Sequence, residues 1–298
     1  MQTDNGLPQD IKAQISPTPG GSAQATAAGR VRFEYLGQPT ELLGKGLLAL
    51  LLLCITFGFA APWIAVWLRQ YTYSKIRIHT EAGVLNPEFT GTGFLCFVQV
   101  FLSYFLVCLT LGIYAPWYLA NVIRFFVNNS HAVGSDGTRY RLEYTGTGGE
   151  LFGPYLVNML LTGLTCGIYA PWAICDLERR ISEKTRILKG DEQIGRLDFV
   201  GTGGGLIGTF LIGMFLSVIT LYIYLPWFQC NMQRFFMRNT GVYIGSRRYR
   251  GEFTGKGGDL FIIFLQTLLV PLTLGLYIFW IITKENRFYV ENTTFQAE

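Results

Sequence analysis

The sequence predicts a mainly α-helical membrane fold of five tandem repeats of about 55 residues, each a kinked apolar helix preceded by a short strand or hairpin segment. Three observations lead there. Half of the 298 residues are hydrophobic and only 15% are charged, with a mean hydropathy of +0.31, which is unusually apolar for a soluble globule. Apolar stretches recur near 46–68, 94–123, 151–175, 206–228 and 260–282, each at or beyond the roughly 20 residues that cross about 30 Å of hydrocarbon. Two separate motif blocks then keep one period. FEYLG, EFTGTG, EYTGTGG, DFVGTGG and EFTGKGG place glycine at Gly37, Gly91, Gly146, Gly201 and Gly255, with gaps of 54, 55, 55 and 54. FAAPW, IYAPW, IYAPW, IYLPW and YIFW place tryptophan at Trp63, Trp117, Trp172, Trp227 and Trp280, with gaps of 54, 55, 55 and 53.

Taken in order, residues 1–29 are rich in Gln, Thr, Ala, Pro and Gly without apolar periodicity and are expected to form a disordered tail. The five-repeat membrane domain follows over 30–295, divided near 31–85, 86–140, 141–195, 196–249 and 250–295. Within a unit, a segment such as Tyr140-Arg-Leu-Glu-Tyr144 alternates like a strand, and Gly-Thr-Gly marks the turn into the helix. The helix runs apolar for about 17 residues to Gly-Ile-Tyr-Ala-Pro-Trp, where Pro62, Pro116, Pro171 and Pro226 are expected to kink or break it. Polarity rises after the Trp, and runs such as Gly134-Ser-Asp-Gly137 suggest hairpins between helices. If every unit crosses once, Lys and Arg divide 12 to 11 between the two sides, so charge gives no orientation. Returning each unit as a hairpin is the alternative. The piece after Trp172 is short and polar for a return through the bilayer, so single crossings are expected, with the post-Trp pieces interfacial.

These blocks, together with Asn158 in LVNMLLT and the basic, aromatic run after the Trp, resemble the YjgN family of bacterial inner-membrane proteins over residues 31–295. The pairing of EYTGTGGELF with CGIYAPW carries the resemblance. The first unit departs with Phe-Ala-Ala in place of Ile-Tyr-Ala, and the last has Phe279 in place of the proline, so the end units are expected to act as caps. The resemblance implies a multi-pass protein of the bacterial inner membrane, and no reaction.

Candidate residues follow from repeat position. Arg124, Arg179, Arg234 and Arg287 each stand seven residues after a Trp and are candidates for binding lipid phosphate or another anion, with snorkelling anchorage as the plainer alternative. Asn121, Asp176 and Asn231 share one position near the membrane boundary, where each requires a partner; Arg179 or Arg180 is available to Asp176 on the same helix. Asn158 lies among Leu, Val and Met and is placed to hydrogen-bond between helices. The Gly-Thr-Gly-Gly turns could hold a phosphate, but they lack a Rossmann context or Walker lysine, and a repeated tight turn explains them.

No catalytic residue, cofactor or metal site is expected. The six cysteines form no CxxC, and His79 and His131 have no partners at ligand spacing. A net charge of +4 is too small for a nucleic-acid face, so membrane lipids, anionic lipids among them, are the expected partners. The leading expectation is non-enzymatic transport or binding of an anionic or amphipathic small molecule or lipid. A structural or assembly role in the bacterial envelope is the alternative.

Overall fold

A computed structural model describes residues 29–298. The expected tail, except for Gly29, lies outside the described residues. The chain opens with strand β1 (Arg30–Tyr35) and helices α1 (Pro39–Ile55) and α2 (Ala61–Ser74). The hairpin β2 (Ile76–Thr80) and β3 (Gly83–Phe89) leads to α3 (93–109), which contains a π-helical turn at Phe97–Phe101, and α4 (Ala115–Asn128). The order repeats with β4 (Ser130–Gly134), β5 (Arg139–Tyr144), α5 (Gly148–Leu164) and α6 (Ala170–Glu183). It repeats again with β6 (Thr185–Lys189), β7 (Glu192–Phe199), α7 (Gly203–Ile219) and α8 (Leu225–Asn239). Then come β8 (Thr240–Ile244), β9 (Arg247–Phe253), α9 (257–272, with a 3₁₀ turn at Gln266–Leu268), α10 (Ile278–Glu291) and β10 (Thr293–Ala297).

The ten strands form one closed antiparallel barrel in which each strand pairs with its sequence neighbours and β10 closes on β1, Val31 facing Phe295. The strands form because apolar and polar residues alternate. Phe33, Ile78, Leu85, Ala132, Leu142, Ile187, Val242 and Phe295 lie on the lumen side of successive pairs, while Arg32, Glu34, Arg77, Arg141, Arg196 and Arg248 alternate with them on the outer wall. Closure removes every free strand edge.

The fold class expected from sequence is therefore corrected: the chain is not a mainly-α membrane repeat protein but a β-barrel carrying helix pairs. The multi-pass transmembrane-helix reading falls with it, because no helix among the described residues is long and apolar enough to cross a membrane. Single crossings are excluded by connectivity. The two helices of each pair start and finish in adjacent strands of the same barrel, so every pair goes out and comes back at one end. The apolar stretches, long enough on paper, are each divided by a reversal.

That reversal is chemically uniform. Thr56, Thr110, Thr165, Thr220 and Thr273 end the outgoing helices, and each hydroxyl donates to the carbonyl four residues back while accepting from the N–H four residues ahead, at 3.0 Å in all five units. A six-to-one bond closes the turn, as from Gly112 N–H to the Val107 carbonyl and from Gly167 N–H to that of Thr162. Pro62, Pro116, Pro171 and Pro226 are buried at the second position of the return helices, where a missing N–H costs nothing.

Neighbouring units are joined by the two motif blocks themselves. In Gly-Thr-Gly, the Thr (Thr92, Thr147, Thr202) caps the outgoing helix by accepting from the N–H three residues on. The second glycine (Gly93, Gly148, Gly203, and Gly257 in the last unit) has no room for a Cβ, because the Trp of the preceding unit lies against it. Four buried clusters occupy these unit boundaries, one built on Phe89 and Phe125, another on Phe253 and Phe288. The ring seam is made differently: Phe279, standing where other units have proline, is buried against Gly46 of the first unit.

Candidate functional site

The residue after each turn threonine decides what the helix ends are for. Phe57, Leu111, Cys166, Leu221 and Leu274 have φ of 49–51°, a left-handed conformation that bulky side chains normally avoid. They also point away from the protein: Phe57 is 99% exposed, Leu111 93%, Leu274 89% and Leu221 83%. Folding alone gives no reason to place a large apolar side chain on strained backbone in open surroundings. Around them Ile55, Phe59, Leu109, Ile113, Leu164, Ile168, Ile219, Ile223 and Leu272 are also exposed. The result is five apolar tips at one end of the molecule, a patch far beyond what isolated surface residues produce.

Polar groups begin at a fixed depth behind the tips. Asn158 donates to the Asp176 carboxylate at 3.0 Å, and Arg180 donates to the same oxygen at 2.9 Å. Eighteen residues separate Asn158 from Asp176, and the same interval joins Ser103 to Asn121 at 2.9 Å and Gln266 to Lys284 at 2.7 Å. These bonds tie an outgoing helix to its return helix. In the fourth unit the position is Gly213, which makes room for Phe228, and Asn231 instead accepts from Arg234 at 3.0 Å. Burial works to raise the Asp176 carboxyl, but the hydrogen bonds from Arg180 and Asn158 outweigh it and hold the group below its ordinary range. A groove of about 320 Å³ between α5 and α6, lined by Leu151, Pro154, Met159 and Ile174, has this trio on its wall.

Arg124, Arg179, Arg234 and Arg287 sit further back, at the level of the barrel rim. Each donates to the first motif glycine of the next unit, at the carbonyls of Gly146 (2.7 Å), Gly201 (3.0 Å), Gly255 (3.0 Å) and Gly37 (3.2 Å). Gln70 makes the equivalent bond to Gly91 at 3.1 Å. The Arg287 bond spans the ring seam. Sequence reading missed this role, although the arginine and glycine share one period and 21 or 22 residues separate them in three of the bonds. Among the described residues, no group of three His, Cys, Asp or Glu side chains is placed to hold a metal.

A family model described as a bacterial protein of unknown function (DUF898) matches residues 139–190 and 248–298. Both segments contain a strand, the Gly-Thr-Gly-Gly or Gly-Lys-Gly-Gly turn and the helix pair whose geometry is given above. The inner membrane protein YjgN of Salmonella typhimurium is 35% identical over 86 residues, 29% of this chain. The YjgN-like resemblance is borne out. The chain spans only about a fifth of that relative's length. No solved structure matches.

The charges divide along the molecular axis. The return helices meet their first charge at Arg69, Arg124, Asp176, Arg234 and Lys284, six to nine residues after they begin, or about 9–14 Å at 1.5 Å per residue. Beyond that depth the surface becomes ionic: Arg141 pairs with Asp191 at 3.2 Å, Arg247 with Glu81 at 3.3 Å and Arg248 with Glu298 at 3.0 Å, all on the barrel.

Proposed function

We propose that the protein is a non-enzymatic lipid-binding protein seated in one leaflet of the bacterial inner membrane, with the five apolar tips immersed and the charged barrel held at the surface. The exposed, strained tip residues carry this reading. A bilayer's hydrocarbon core is about 30 Å thick, so one leaflet is about 15 Å deep. The uncharged depth of about 9–14 Å matches a single leaflet and falls short of a crossing. The barrel itself does not fit in hydrocarbon, since arginine and glutamate alternate along its outer wall. At the depth of Arg124 and Arg234, about nine residues into their return helices, guanidinium groups meet headgroups. Anionic phospholipid is the partner this favours. The Salmonella relative is an inner membrane protein, which supports that location for this chain.

Leu111→Gly separates membrane seating from folding. Glycine relieves the left-handed strain, so the isolated fold gains about 1 kcal/mol, while loss of an immersed leucine weakens membrane partition by about 2 kcal/mol. Flotation with phosphatidylethanolamine and phosphatidylglycerol vesicles is the measurement. Leu111→Gly combined with Leu221→Gly and Leu274→Gly is expected to shift the protein from floated to unbound with thermal stability retained. Unchanged flotation of a folded triple variant overturns the proposal.

A further inference from the structure

The barrel has a second feature that membrane seating leaves unexplained. The four buried clusters lie at the boundaries between units, so they do not fill the axis of the barrel. Inside the barrel is a cavity of about 380 Å³. Phe33, Ile78, Pro87, Ala132, Leu142 and Ile187 line it, from six consecutive strands, β1 to β6. In a ring of ten strands β1 and β6 are opposite one another, so the cavity crosses the lumen. Its volume falls within the range of ligand pockets, and ten strands leave more interior room than the eight that hold one small ligand.

The chemistry of its wall selects an occupant. The wall is mainly aliphatic and aromatic, with hydroxyls from Tyr73, Ser130 and Tyr140; His131 and Arg141 also border the space, and their ends are bonded to Thr90 and Asp191. Ser130 Oγ donates to the Phe126 carbonyl at 2.7 Å and lies 3.0 Å from Tyr73 Oη, which is left to donate to it. Both hydroxyls are therefore engaged, and the space offers dispersion contacts to hydrocarbon. Water would find few partners there. Tyr73, Ile76 and Ser130 stand where α2 meets β2 and α4 meets β4, so the cavity reaches the helical end of the barrel, the end that faces the membrane in the reading above.

We propose that the barrel lumen is a binding site for one hydrocarbon chain of a membrane lipid, admitted from the helical end. This deepens the lipid-binding reading and names its site, with the bilayer as the source of the ligand.

The test uses the full chain in phosphatidylethanolamine and phosphatidylglycerol vesicles containing a palmitate analogue with a photoactivatable diazirine at the chain end. After irradiation, adducts are mapped by mass spectrometry. Adducts are expected on the strand peptides containing Ile76–Ile78 and Tyr140–Leu142 as well as on the helix tips. Ala132→Phe fills the lumen and is expected to cut the strand adducts about tenfold while leaving those at the tips. Adducts confined to the tips overturn the lumen site and leave the membrane seat standing, whereas absence of tip adducts counts against the seat itself. If Ala132→Phe does not fold, the wild-type adduct map still decides.

Discussion

At Tyr144 a hydroxyl is buried without a hydrogen-bond partner, while Phe89, Phe199 and Phe253 occupy the same repeat position without one. Desolvating an unpaired hydroxyl is costly, so Tyr144→Phe is expected to stabilise the fold by about 1 kcal/mol, read as a higher Tm. Asp176 behaves in the opposite sense. Its carboxyl is held below its ordinary value of 3.8, so its contribution to stability is complete above that value and is lost as pH falls through the lower, folded value. Tm measured from neutral pH downward should therefore show wild type and Asp176→Asn converging only in acid, with no convergence if the trio is unimportant. Asn158 and Asp176 were each legible as polar residues in need of a partner, but not as partners of each other. No local rule joins positions 18 residues apart across a turn whose existence the sequence did not reveal.

Glycine shows how the elements are joined. Gly203 and Gly204 are neighbours in the first turn of α7, yet a Cβ on Gly203 would collide with Trp172 while one on Gly204 would meet open space. Gly203→Ala is expected to cost about 1–3 kcal/mol and Gly204→Ala to add about 0.5–1 kcal/mol, a difference that urea unfolding resolves. Tyr222 tests the reversal. It has φ of 67° where four units have glycine, and it is exposed, so Tyr222→Gly should stabilise by about 1 kcal/mol. The strand, the turn and the apolar helix of each unit were legible because alternation, glycine and unbroken hydrophobicity are local signals. The return helix was not. Its start carries Pro-Trp, which reads as a kink, and its polar second half reads as an interfacial stub; only the Thr hydroxyl bonds and the left-handed residue show a complete reversal.

At the scale of the whole molecule, closure was hidden because it depends on contacts between the first and last units. Its traces were present as departures from the repeat, since Phe279 replaces proline to fill the space at Gly46, and Arg287 reaches Gly37 across the seam. Once the ring is closed, all five helix pairs must leave from one end, and the even division of Lys and Arg between alternate loops loses its meaning. Both groups lie on the same side. The most direct test is side-specific labelling in sealed inner-membrane vesicles. Single cysteines replace Glu81, Asp136, Asp191 and Ser246 in the four hairpin turns, with exposed Cys54, Cys108 and Cys166 changed to alanine. With an impermeant maleimide, all four positions are expected to label from one and the same side. Labelling of Glu81→Cys and Asp191→Cys from one side and of Asp136→Cys and Ser246→Cys from the other would contradict the barrel with returning helix pairs.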